Sequence, residues 1–351
     1  MPVFSEKELH DLCYDVLLQR GASAEEAERV ATHLVTNNLV GHDSHGVIHL
    51  PGYVGQIEKD EIQLGTKPEI LRETPTIAVL DGHWGFGQLI AKQAMDLAIE
   101  KANKSSISCV GVRRCNHIGR LGEYTVMAAK QNMIGILSVN DAGAGLAMAP
   151  FGGIERRLSP NPISIAFPSG DADRPILLDM SSTTVAQGKI SVARNRGQKV
   201  PEGWAIDAQG KPITDPNNYF GPPEGAMLPL GGLTAGHKGF GLGFVLDILD
   251  GVLGGAGISR AGVTRLANGL YISVIKITDF LPLDEFVSEV QKLTEYVKSS
   301  TLAPGFSEII VPGEFEYREM KKRRASGIMI EDETWKKLRE TALAAGVEVK
   351  P

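Results

Sequence analysis

The sequence predicts an α+β fold, with a helical unit built from both termini around a central α+β domain. Three observations carry this. Helix-type apolar spacing fills the first 40 residues and returns near the end of the chain. Short β-type runs fill the middle. The 40 glycines cluster in that middle part and are too many for a helical bundle, which puts functional loops there. The expected boundaries are residues 1–72 with 284–351 for the helical domain and 73–283 for the central domain.

The elements follow in order. Ser5 with Glu8, and Ser23 with Glu26, each form a capping box that opens a helix. Leu9, Leu12, Cys13, Val16 and Leu17 mark the face of the first helix, which Gly21 stops. Ala27, Val30, Ala31, Leu34 and Val35 mark the face of the second. The character changes after Pro51. Strand-type runs then cover 77–80, 107–112, 134–139, 163–167, 176–178 and 270–277, with helices near 88–104 and 241–253. Phe286, Val287, Val290, Leu293 and Val297 share one helical face. A short strand at 308–311 runs into Pro312-Gly313-Glu314, and two charged helices follow.

Composition narrows the function. A net charge of −6 argues against nucleic acid, which calls for a basic face. The one basic run, Lys321 to Arg324, lies among glutamates and reads as a solvated helix face. No stretch approaches the roughly 18 apolar residues of a membrane span. The polar N-terminus is not a signal peptide, and three cysteines at unrelated spacings suit a reducing compartment, so a cytoplasmic protein is expected.

Three motifs look informative and fail. Gly85-Phe86-Gly87 follows a strand and opens a helix, but Ile90 stands where a dinucleotide fingerprint has its third glycine, so no Rossmann domain is expected. The 231–238 segment resembles a P-loop, yet His237 replaces its lysine. His42, His45 and His49 could share a helical face and bind a metal, but Gly41 and Gly46 break any helix there, so no metal is expected.

The remaining candidates sit in glycine-flanked settings. Two histidine segments, 41–46 and 115–119, offer imidazoles suited to proton transfer near neutral pH, although a lone loop histidine is commonly structural. The glycine-rich stretch 234–241 precedes an apolar helix. It could admit a phosphate to backbone N–H groups beside Lys238, or it could be a tight packing turn. Pro160-Asn161-Pro162 is a rigid turn into a strand, and the hydroxyl run after Asp179 could bind phosphate or ribose or be a plain loop.

Taken together, these segments resemble the malate/L-lactate dehydrogenase family of ketoacid reductases, which lack a Rossmann domain. That family includes sulfolactate, ureidoglycolate and diketogulonate dehydrogenases and the cyclic imino acid reductases. The resemblance runs from about Glu8 to about Val347. It rests on Asp43-Ser44-His45-Gly46 with Pro51 and Tyr53, then Asn116-His117-Ile118-Gly119 and Pro150-Phe151-Gly152-Gly153. Pro160-Asn161-Pro162, Asp179-Met180-Ser181, Gly188-Lys189, His237-Lys238-Gly239-Phe240-Gly241 and Pro312-Gly313-Glu314 follow in the same order.

The resemblance implies a mainly antiparallel central sheet with flanking helices, and a homodimer whose cleft both subunits form. It implies a hydride exchange between NAD or NADP and a small 2-oxo or 2-hydroxy acid of the malate, lactate or sulfolactate type. The alternative is reduction of a cyclic imino acid or a sugar-derived keto acid. His45 and His117 would face the substrate, one of them as proton donor and acceptor, with Ser44 assisting. Asp179, Met180, Ser181, Lys238, Gly239, Gly313 and Glu314 would hold the cofactor, and Asn161 would shape the same site. One position departs from the family pattern. An arginine that grips the substrate carboxylate is replaced by His49, so Arg120, Arg113 or Arg114 would have to supply the grip, or the substrate differs.

Overall fold

The computed structural model describes residues 1–349. Strand β1 (Val3–Phe4) leads into helices α1 (Glu6–Gln19) and α2 (Ala24–Leu39). Both capping boxes are complete: the serine side chain accepts from the backbone of Glu8 or Glu26, and the glutamate accepts from the serine N–H. Gly21, at φ +92°, makes the turn between the helices. The apolar faces expected from spacing are buried, except that Leu12 is only partly covered. Two single 3₁₀ turns, Asp43–His45 and Val47–His49, connect α2 to α3 (Leu50–Glu58).

The central sheet uses β2 (Glu69–Glu73), β3 (Ile77–Asp81), β4 (Ile107–Cys115), β5 (Met133–Asp141), β6 (Ile163–Phe167) and β7 (Ile176–Met180). Helix α4 (Gly87–Ser105) connects β3 to β4, and α5 (Gly122–Ala129) connects β4 to β5. After β7 come α6 (Gln187–Asn195), strand β8 (Ala205–Ile206), α7 (Asn217–Phe220) and strand β9 (Ala226–Met227), which pairs with β8. Helix α8 (Gly232–Ala235) precedes α9 (His237–Leu246), which continues as a π-helical segment, Asp247–Leu253. Strand β10 (Asn268–Lys276) then completes the sheet.

The order across the sheet is β2-β3-β4-β10-β5-β6-β7. Every pairing is antiparallel except β3 with β4. The molecule is therefore a mixed α/β protein with a large, mostly antiparallel sheet. Leu270, Ile272 and Val274 of β10 bury one face under α4 and α5, together with Val110, Val112 and Leu137. The other face is more polar, and Ser138 and Asn140 there donate to Asp250 and Asp247 of the π-helical segment.

The chain ends with α10 (Leu283–Lys298), α11 (Glu314–Ser326), β11 (Ile328–Met329) and α12 (Asp332–Ala344). Strand β11 pairs with β1, and Ile328, Ile330, Leu338 and Ala342 enter the core of α1, α2 and α3. Helix α10 has no fully buried residue and lies beside the 169–176 turn, where Gln291 donates to the Ser169 carbonyl.

Two expectations need correction. No strand forms at 308–311. The residue that follows the segment, Pro312, accepts from Leu177 N–H at the β7 edge, and proline has no N–H with which to extend a ladder. The glycine-rich stretch before the apolar helix is itself helical from His237 onward, because tertiary packing overrides the low helix propensity of glycine. Strand β2 escaped sequence reading because all five residues are exposed and show no alternation.

The cap at Ser23 yields a test. Replacing Ser23 with Ala should cost about 1 kcal/mol of stability, read as a lower urea midpoint with an unchanged slope.

Candidate active site

The segment 41–49 is held by two adjacent asparagines at the end of α2. Asn38 Nδ2 donates to Asp43 at 2.6 Å, and Asn38 Oδ1 accepts from Val47 N–H at 2.8 Å. Asn37 Nδ2 donates to the His45 carbonyl at 3.0 Å. Gly46 has to be glycine, because a Cβ there would sit 2.2 Å from Asn38 Oδ1. Arg323 of α11 adds bonds to the Asn38 carbonyl and the Asp43 carboxylate. On this frame Ser44 Oγ lies 3.1 Å from His45 Nδ1, and His49 Nε2 donates to the Ser44 carbonyl at 2.8 Å.

His117 arrives from the end of β4. Asn116 fixes its loop by donating to the carbonyls of Trp84 at 2.6 Å and Gly85 at 3.1 Å. Gly87 lets α4 start directly against this loop, since a Cβ would lie 2.4 Å from the His117 carbonyl oxygen. His117 Nδ1 is 2.8 Å from the Tyr53 hydroxyl. The ring centroids of His49 and His117 are 4.9 Å apart, and those of His45 and His117 are 6.2 Å apart.

Electrostatics keep these rings uncharged. Burial, then neighbouring His49 and His42, push His45 down to about 3. Burial, with His49 and His45 beside it, holds His117 well below the ordinary imidazole value. Burial also lowers His49, against the opposing effect of its bond to the Ser44 carbonyl. The arginines considered for a carboxylate grip are already engaged. Arg113 and Arg114 bind Asp81. Arg120 is buried, with its Nε on Asn37 at 3.1 Å and its Nη1 3.6 Å from Asp179.

The other expected residues lie on other elements of the fold. Asp179, on β7, accepts from Gly122 N–H at 2.7 Å and connects through Arg120 and Asn37 to the His45 turn. Met180 and Ser181 follow it, half-buried, with Ser181 Oγ 2.9 Å from Thr183 Oγ1. Gly313, at φ +96°, seats its turn against Pro175 and Leu177, while Glu314 pairs with Lys298 and accepts from Val311 N–H. Asn161 is buried and donates to the Gly243 carbonyl at 2.9 Å, which ties the start of β6 to α9. Lys238 is exposed in the first turn of α9, whereas Gly239 is buried with its N–H bonded to Leu230. Ser44, His45 and His117 thus come together, with His49 and Tyr53. No hydrogen bond among the described residues joins Lys238 or Asn161 to them.

Sequence reasoning missed Asn37, Asn38 and Gln88. Each continues the buried spacing of its helix: Asn38 follows Leu34 by four, and Gln88 precedes Ala91 by three and Met95 by seven. A polar residue on such a face was the available signal.

The family model described as malate/L-lactate dehydrogenase matches residues 4–339. The malate dehydrogenase of Pyrococcus horikoshii is 40% identical, over 95% of this chain and 92% of its own. The L-sulfolactate dehydrogenase of Methanocaldococcus jannaschii is 37% identical, over 97% and 96%. The crystal structure of malate dehydrogenase from Entamoeba histolytica superposes with a TM-score of 0.94 at 30% identity, covering 100% of this chain and 99% of that one.

The neutral histidines make stability depend on pH. Their folded pKa values lie below the ordinary 6.5, so the unfolded chain binds more protons as pH falls. The contribution is complete above about 6.5 and is lost as pH falls from there toward 3. His45→Gln should flatten the decline of Tm across that window relative to the parent, measured by thermal melts in a pH series. Identical slopes would show that His45 is not held neutral.

Proposed function

The chain belongs to the malate/L-lactate dehydrogenase family, and from that premise we propose that it interconverts a small 2-oxo acid and its 2-hydroxy acid using NAD or NADP. The observation that carries this reading is the convergence of Ser44, His45, His49 and His117, imidazoles from two different segments, in one cluster. In this reading the site lies where residues 1–72 with 284–351 meet the central 73–283 unit.

A bound nicotinamide would supply or accept the hydride. The residues present suit such a group. Lys238 offers an exposed ammonium without a hydrogen bond or ion pair among the described residues, fit for a phosphate, and Ser181 offers a hydroxyl beside Asp179. Asp179, Met180, Ser181, Lys238, Gly239, Asn161, Gly313 and Glu314 are assigned to that group.

The chain's own residues handle the proton. As the carbonyl of a 2-oxo acid is reduced, negative charge develops on its oxygen, and an imidazole N–H relieves it. In the reverse direction a neutral imidazole takes the hydroxyl proton. We assign this role to His117, whose loop is fixed by Asn116 and Gly87, and the orientation of substrate to His45 with Ser44.

A panel of pyruvate, oxaloacetate and a cyclic imino acid, run with each cofactor while following nicotinamide absorbance, tests the reading. His117→Ala should lower kcat by about 10²–10⁴ with cofactor affinity little changed. If the loss appears in His45→Ala instead, the roles are exchanged. Near-normal kcat in both would sink the assignment.

The dimer is proposed on an exposed apolar ridge. Phe244, Val245, Ile248, Val252 and Leu253 project from α9 and its π-helical continuation, and Leu253 is 67% exposed. Self-association would cover this ridge. The double change Val252→Glu with Leu253→Glu should shift sedimentation to the monomer, and an unchanged dimer would place the interface elsewhere.

A further inference from the structure

Helix α4 brings one polar side chain to the histidine cluster that the reading above does not use. Gln88 is completely buried in the first turn of α4, on the face that continues with Ala91, Ala94 and Met95. Its Nε2 donates to the Tyr53 hydroxyl at 2.7 Å, and the same hydroxyl lies 2.8 Å from His117 Nδ1. Gln88 Oε1 is buried with no hydrogen-bond partner. An unsatisfied buried amide oxygen costs about 1–3 kcal/mol, and an apolar side chain of similar length would fill the position without that cost. Packing therefore does not account for a glutamine here.

The direction of the hydrogen bonds does. A phenol has one proton and Tyr53 is 4% exposed. With a Gln88 N–H on the phenol oxygen, His117 Nδ1 is the one acceptor for the Tyr53 proton among the described residues. Nδ1 then carries no hydrogen, and the proton of a neutral His117 sits on Nε2. The other groups around the ring are His45 and His49 from the 43–49 turns and His33 from α2. No carboxylate contacts His117 among the described residues, so the pairing that commonly sets a histidine tautomer is absent there.

We propose that Gln88 is a positioning residue: through Tyr53 it fixes the Nε2–H tautomer of His117 and leaves that proton for the carbonyl oxygen of the substrate. This rests on the assignment of His117 as proton donor. Gln88→Glu reverses the chain of bonds. An ionised carboxylate accepts from Tyr53, whose oxygen then accepts from His117 Nδ1–H, and Nε2 is left without its proton.

The test combines kinetics with ¹⁵N-histidine NMR on the full-length protein, with the His117 signals assigned by their loss in His117→Gln. In the parent, His117 should show the Nε2–H pattern. In Gln88→Glu it should show Nδ1–H, with kcat for reduction lowered by about 10² and cofactor Kd unchanged. Tyr53→Phe should lower kcat as well, and the double variant should be no slower than Tyr53→Phe alone, because Gln88 acts only through that hydroxyl. Additive losses, or normal kcat in Gln88→Glu, would overturn the proposal. If Gln88→Glu does not fold, an Nδ1–H tautomer in the parent protein overturns it by itself. A parent enzyme inactive toward every 2-oxo acid would instead refute the functional reading, and the tautomer would still decide the role of Gln88.

Discussion

Residues 41–49, buried at Gly46 and Val47 and partly exposed elsewhere, belong to neither a helix of any length nor a sheet. Buried backbone N–H and carbonyl groups need partners, and a segment of two 3₁₀ turns supplies few of its own. Asn37 and Asn38 meet that need from the end of α2, one taking the His45 carbonyl, the other spanning Asp43 and Val47. Their presence then dictates further residues. Gly46 leaves room for the Asn38 amide, and Arg120 completes Asn37 from the opposite side while lying against Asp179. Arg323 reaches the same turn from the C-terminal helices, so both ends of the chain brace the histidine-bearing segment.

The sheet supplies the second wall. Strand β10, from late in the chain, lies between β4 and β5. Its Asn268 accepts from Ile118 N–H and donates to the Asn140 carbonyl, so the central strand also anchors the loop that carries His117. Beside it, β3, α4 and β4 form the one parallel crossover of the large sheet, which is why Gly85-Phe86-Gly87 resembles the opening of a dinucleotide fold. The local signal was genuine, but its use differs. The space before Gly87 is filled by the backbone of Asn116 and His117, with a virtual Cβ only 2.2 Å from the Asn116 carbonyl oxygen, so the glycine serves a close approach of helix to loop.

Legibility followed the kind of force involved. Capping boxes and apolar periodicity are local, and α1, α2, the core strands and the C-terminal helices could be read from them. Helix α3 contains glycines that local propensity disfavours, and the helix expected near 241–253 begins earlier, at His237, through a glycine-rich stretch. The candidate site was legible as a set of histidine segments, and their meeting is visible only in three dimensions. Asn37, Asn38 and Gln88 interrupted otherwise apolar helix faces, and that interruption was the mark of the buried polar network behind the histidines.

Charge pairing around the cluster explains why its rings are neutral. Arg113 and Arg114 are spent on Asp81, Arg120 lies between Asn37 and Asp179, and Arg29 with His33 meets Glu123. Asp43 is taken by Arg323, and Glu316 by His42. Among the described residues no carboxylate contacts His45, His49 or His117 to favour an imidazolium, so desolvation decides, and it favours the uncharged rings. His49 fits this balance. A guanidinium at that position would hold a permanent positive charge against His117, whose ring centroid is 4.9 Å from that of His49, and like charge would depress His117 further. An imidazole tied to the Ser44 carbonyl through Nε2 occupies the same place without imposing that charge.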